Sequence, residues 1–136
     1  MTPEQAEALG RRWAALPEWA APGMLVRYDY GDAAGSTAGR ITDERHAAYW
    51  RPDDGEDVPL PPGAVPDVRD DATRGAMLGK VRAAWGEPTT GIYWDPASAA
   101  WVCDIGHGLG FSGASESEAL VVALEAAPNA TKGGTT

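Results

Sequence analysis

The chain has 136 residues, with 20 acids against 11 bases and a formal net charge of −9. That length suits one domain with a hydrophobic core of its own. The excess negative charge repels phosphate backbones and anionic bilayers, which argues against nucleic acid or a membrane surface as partner.

The first element is a helix. Thr2 is placed to cap it, Pro3 suits its first position, and Gln5 can close a capping box. Ala6, Leu9, Trp13 and Leu16 then fall on one face at helical spacing, and Pro17 ends the run. Charges interrupt every apolar run of this segment, unlike a secretory leader. Met24 to Tyr30 reads as a strand, with Met24, Val26 and Tyr28 on one side and Arg27 and Asp29 on the other.

Residues 31–66 read as an irregular acidic arm. GDAAGSTAGR has the composition of a flexible loop. Thr42 to Trp50 fits a short helix or a strand equally. RPDDGEDVPLPPGAVP carries too much proline and charge for regular structure and reads as an extended connector.

Residues 67–128 are the most clearly patterned. Asp70 or Asp71 caps a helix that runs to Trp85, and Gly86 occupies the place of a left-handed C-terminal cap. Its core stripe is read as Leu78, Val81 and Trp85, with Met77 and Ala84 beside it. Gly75 and Gly79 each cost ~1 kcal/mol of helix propensity against alanine, which would make sense if another backbone packed closely there. Ile92–Trp94 and Ala100–Ile105 form a hairpin around Asp95-Pro96-Ala97-Ser98. Leu109–Ser112 adds a third strand. Ser115 and Glu118 form a capping box for a last helix with Ala119, Leu120, Ala123, Leu124 and Ala127 inside. Residues 129–136 read as a disordered tail. The expected fold class is therefore α+β: one domain over 1–128, a small antiparallel sheet with helices 72–85 and 116–126 on one face, and an N-terminal helix-strand element.

PDVRDDATRGAMLGKVRAAWGEP, followed by SESEALVVALEAAP, resembles a group of small prophage proteins of high-GC bacteria. The upstream LPEWAAPGM is similar to a stretch in the same group. The α-β-β-α order resembles, in architecture, the phage ABA-sandwich type of domain. The likeness covers about half of the chain and rests on the helix stripes with Asp67, Thr73, Gly75 and Trp85. It implies a phage-infected or prophage-bearing bacterial host and carries over no catalytic residue.

The candidate chemistry is sparse. Gly108-Leu109-Gly110-Phe111-Ser112-Gly113 spells a dinucleotide fingerprint, but no later strand or ribose-binding acid follows the helix it opens. It reads as a glycine-rich turn or edge strand. Cys103 is the sole cysteine, so no intrachain disulfide forms, and a reducing cytoplasm is the expected location. With His107 it makes the outline of a nucleophile and base, yet its place between Val102 and Ile105 suits a buried hydrophobe. The pair does not make a zinc site, which needs four ligands. His46, near Asp43 and Glu44, reads as solvated. Asp53, Asp54, Glu56 and Asp57 would need a glutamate at the twelfth loop position to hold calcium, and Ala64 stands there. No cofactor or metal is expected.

The charge is uneven. Residues 41–71 hold nine acids and three bases, and 72–86 hold Arg74, Lys80 and Arg82 with no acid. Six tryptophans are the most unusual feature of composition. Most are expected to fill the core, with Trp50 the exception, while Tyr93-Trp94 alternates across the hairpin so that one of the two can face solvent. These features point to a non-enzymatic, cytoplasmic protein-binding domain. Its most concrete form is an acidic inhibitor of a host nucleic-acid-handling protein, with Trp50 as anchor and Tyr49, Asp53, Asp54, Glu56 and Asp57 around it. A small enzyme using Cys103 and His107 is the alternative. A double-stranded-RNA-binding module of α-β-β-β-α order is a third, opposed by the acidic Ser115-Glu116-Ser117-Glu118 start of its last helix.

Overall fold

The computed structural model describes residues 1–29, 36–42, 49–52 and 58–128. The described residues form three helices and two antiparallel sheets, an α+β architecture. The chain forms two compact units, Thr2–Ala76 and Met77 onward.

The first unit opens with α1, Pro3–Ala14. Thr2 accepts from the Gln5 backbone N–H, and the Gln5 side chain accepts from the Thr2 N–H, the expected capping box. Ala6, Leu9 and Trp13 are buried on one face. Five strands follow: β1 (Leu25–Asp29), β2 (Ser36–Ile41), β3 (Tyr49–Pro52), β4 (Val58–Pro59) and β5 (Val65–Pro66), in the order β4-β3-β2-β1-β5. The alternation read for β1 holds, with Met24 and Val26 fully buried and Arg27 and Asp29 exposed. Helix α1 packs on β5. Gly10 makes the approach possible, since a Cβ there would stand 2.5 Å from the Pro66 carbonyl oxygen.

The arm expected to be irregular over 31–66 therefore supplies four strands of this sheet. Gly39 shows why the pattern is concealed. It sits in β2 opposite Pro52, and a Cβ would lie 2.3 Å from the Arg51 carbonyl oxygen. The glycine that reads as a loop residue is what lets two strands meet. β4 and β5 are two residues long with a proline each, tolerable because both lie at the sheet edges. Residues 53–57, and with them Asp53, Asp54, Glu56 and Asp57, lie outside the described residues, as do His46 and the 129–136 tail.

Helix α2 spans Asp71–Trp85, and the division between the units falls within it. Thr73, Met77 and Val81 are its fully buried positions, four apart, whereas Leu78, Ala84 and Trp85 are half-buried. Gly75 and Gly79 are exposed, and a Cβ at either would meet nothing within 4 Å. The expected close packing at these glycines is absent. The helix closes as a Schellman motif: Gly86 has φ +67°, the Glu87 N–H donates to Arg82 O, and the Gly86 N–H donates to Ala83 O.

The second unit continues with β6 (Gly91–Asp95), β7 (Ala100–Gly106), β8 (Leu109–Gly113) and α3 (Glu116–Glu125). The strands pair in the order β6-β7-β8. Asp95 organises the first hairpin, accepting from the Ala97 N–H and the Ser98 hydroxyl. His107 and Gly108 form the second, a two-residue loop between paired Gly106 and Leu109 with positive φ at both positions, as a type I′ turn requires. Ser115 caps α3 by accepting from the Glu118 N–H. The Glu118 carboxylate reaches one residue further back than a capping box would, to the Ala114 N–H. Helix α3 packs on β7 and β8 with Ala119, Leu120, Ala123, Leu124 and Ala127 buried. The Trp85 indole donates to Ala123 O at 2.9 Å, and its ring lies 5.7 Å from that of Phe111.

Candidate functional site

Trp50 is not a surface anchor. It is wholly buried beside Ile41, with which it pairs across β2 and β3. Its indole N–H has no acceptor among the described residues. An aromatic of this size in a small sheet contributes most where it fills the core.

The acids of 41–71 are also partly spoken for. Asp67 takes Arg69 at 3.2 Å and Arg27 at 3.6 Å, and Asp71 pairs with Arg74. Asp70 is the centre of a clasp. It caps α2 by accepting from the Thr73 N–H at 2.9 Å, and it takes the two terminal nitrogens of Arg40 at 2.6 and 3.0 Å. The Thr73 hydroxyl donates to Asp70 and accepts from the Leu25 N–H, while Arg40 also reaches Gly23 O. The Arg40 guanidinium, with the Thr73 donors, holds the Asp70 carboxyl down at about 2 against the cost of burial. This network joins β1, β2 and the start of α2, and its donors and acceptors answer one another. It has the character of a structural clasp rather than a receptive site.

A hollow of about 210 Å³ lies between α1 and β5, lined by Pro3, Glu7, Arg27, Asp67 and Arg69. Its two arginines already face Asp67, so little free positive charge remains to hold an anion.

In the second unit, Cys103 is fully buried. Burial, with a smaller push from Asp104, raises its thiol to about 11 despite Arg82, so thiolate is scarce at neutral pH. The His107 side chain is 82% exposed and lies 3.3 Å from Glu87. No hydrogen bond joins Cys103 to His107 among the described residues, and the arrangement supplies no nucleophile with its base. The glycine-rich 108–113 run is the second hairpin turn and edge strand β8; a Cβ at Gly113 would stand 2.6 Å from the Ala119 nitrogen. Among the described residues no three His, Cys, Asp or Glu side chains gather as a metal site, and no helix is long and apolar enough to cross a membrane.

What remains is the aromatic surface of the β6–β7 hairpin. Pairing fixes its faces. Ile92, Cys103 and Phe111 are in register, as are Trp94, Trp101 and Gly113, and these share the face covered by α3. Tyr93, Val102 and Ser112 are in register on the opposite face, where Gly91 pairs with Asp104 and Asp95 with Ala100. Trp94 meets Trp101 edge to face at 5.7 Å near the hairpin end. Tyr93 is 49% and Trp94 47% exposed, the two most exposed aromatic side chains among the described residues. Both flanking acids, Asp95 and Asp104, are held by local bonds, Asp104 to the Gly106 N–H. Tyr93-Trp94 as a candidate is visible in the sequence, but alternation alone does not show that both are open. That follows from Trp94 lying at the hairpin end and Tyr93 on the face away from α3.

Comparisons with protein-family models, curated proteins and solved structures found no match.

Proposed function

We propose that the protein acts by binding another protein through Tyr93 and Trp94, which project to either side of the β6 edge of its three-stranded sheet. The observation that carries this reading is the exposure of two large aromatics at successive positions of one strand. Tyrosine and tryptophan bury much area for little rotamer entropy and are favoured anchors of protein interfaces. Charge supports a basic partner. Between Met77 and Pro128 six acids oppose Lys80 and Arg82, both on α2, and the three strands and α3 hold no lysine or arginine. A role as an acidic inhibitor of a nucleic-acid-handling protein is one form of this reading.

The acidic segment over 53–57 is a second reading, favoured by its four carboxylates in five residues. The two separate in one experiment. A photo-crosslinking residue at exposed position 97, in the hairpin turn that follows Trp94, should capture a host protein, and adding Tyr93→Ala with Trp94→Ala should lose it while the circular dichroism and melting curve stay near the parent's. If capture instead survives that double change and is lost on reversing Asp53, Asp54, Glu56 and Asp57 to lysine, the aromatic-surface reading is wrong.

A further inference from the structure

The two sheets treat their edges differently. Both edge strands of the five-stranded sheet are two residues long and contain proline, Pro59 in β4 and Pro66 in β5. A proline and a short run leave little for another chain to pair with. The edges of the three-stranded sheet have neither protection. β6 and β8 are five residues each, with no proline and no lysine. No described backbone group bonds β6 on the side away from β7.

β6 is the better template of the two. β8 is glycine-rich, and its Gly113 is pressed against α3. β6 places Tyr93 on one face and Trp94 on the other, so a strand laid along it would find an aromatic beside it on both faces. Asp95 and Asp104 flank Tyr93 along its own face. Arg82, the nearest cation along the chain, is tied by its Nε to the Thr90 carbonyl just before β6. A second copy of the chain would bring together two surfaces of the same sign, which repel. A segment with lysine or arginine at alternate positions is complementary: its cations meet Tyr93 on the face that carries Asp95, and the side chains between them meet Trp94 on the other face.

Resting on the reading that the Tyr93–Trp94 surface binds protein, we propose that the partner is captured by strand addition: an extended basic segment pairs its backbone with the free edge of β6. Main-chain bonds then supply affinity, and alternate side chains meeting Tyr93 and Trp94 supply selectivity.

The test uses the full chain, nitrogen-15 labelled, and a synthetic peptide of about ten residues alternating lysine and valine, long enough to run past both ends of the five-residue β6. Backbone amides of 91–95 that point away from β7 should exchange with solvent at least ~10-fold more slowly at saturation, since they gain a partner. Affinity should fall at least ~10-fold between low salt and about 0.3 M salt, and a glutamate–valine peptide should not bind. Trp94→Ala should weaken the lysine–valine peptide by ~10-fold. A shift of Trp94 emission without protection of β6 would overturn strand addition while leaving the surface reading intact. Protection at β8 instead of β6, equal binding of the glutamate peptide, or no response to either peptide would each overturn the proposal. The surface reading itself is decided separately by loss of the cross-linked partner in the Tyr93→Ala, Trp94→Ala variant.

Discussion

Asp70 offers the sharpest quantitative test of the fold. Its carboxyl titrates at about 2 instead of 3.8, held first by the hydrogen bonds from Arg40 and then by those from Thr73. Each pH unit of such a difference is worth ~1.4 kcal/mol, which would give ~2.5 kcal/mol for a shielded pair. The Arg40 side chain is 47% exposed, so solvent screens the pair and the expected contribution is about 1–2 kcal/mol. A carboxyl lowered by folding stabilises fully above its unfolded value and loses that effect as pH falls through its folded value. The stabilisation is therefore complete above about pH 4–5 and gone near pH 1, with the steepest loss between about pH 4 and pH 2. Asp70→Asn removes the charge yet keeps an oxygen for the Thr73 N–H, because asparagine is also a good N-cap. It should be about 1–2 kcal/mol less stable than the parent at neutral pH, and level with it near pH 1. Asp70→Ala should cost about 1 kcal/mol more at neutral pH through the lost cap. Urea unfolding followed through amide signals of Leu25 and Thr73, at several pH values, measures both. A deficit under ~0.5 kcal/mol at neutral pH, or one that persists unchanged at low pH, would refute the role given to the Arg40 pair.

The glycines give a contrast by urea melts: Gly75→Ala and Gly79→Ala should each stabilise by up to ~1 kcal/mol, since a Cβ meets nothing there. Gly39→Ala should destabilise by about 2–3 kcal/mol because its Cβ would collide with the Arg51 carbonyl. Trp50→Ala should cost ~3–5 kcal/mol in the same assay, as loss of a buried aromatic, whereas Trp94→Ala should cost under ~1.5 kcal/mol. Native Cys103 should react with a thiol reagent orders of magnitude more slowly than the urea-unfolded chain, and rapid stoichiometric labelling would contradict its burial.

Where local chemistry decides an element, the sequence discloses it. Thr2 and Gln5, Ser115, Gly86 and the Asp95 turn each act through neighbours a few residues away, and each stands where its residue type predicts. The strands between residues 36 and 66 escape the same reading because their reasons lie far along the chain. Gly39 is required by Arg51, and the two-residue strands β4 and β5 exist only through their pairing with β3 and β1. Composition also misplaces Trp50: its proline-rich, acidic neighbourhood suggests exposure, yet its partner Ile41 lies in the core. Gly75 and Gly79 err in the opposite sense, since a propensity cost need not imply a packing reward. For the candidate site, the sequence shows an aromatic pair on a hairpin, and strand register is needed to show which faces they take.

The placement of the tryptophans also gives each unit its own optical signal. Trp13 and Trp50 belong to the first unit and are sealed from water, so their emission should be blue-shifted and resistant to quenching by iodide. Trp94 and Trp101 belong to the second and touch edge to face, a geometry that couples their transitions and should appear in the near-ultraviolet circular dichroism. Half-exposed Trp94 is the chromophore most open to iodide among these four. Heating the protein while recording both signals would therefore show, without any label, whether the two units melt together or one before the other.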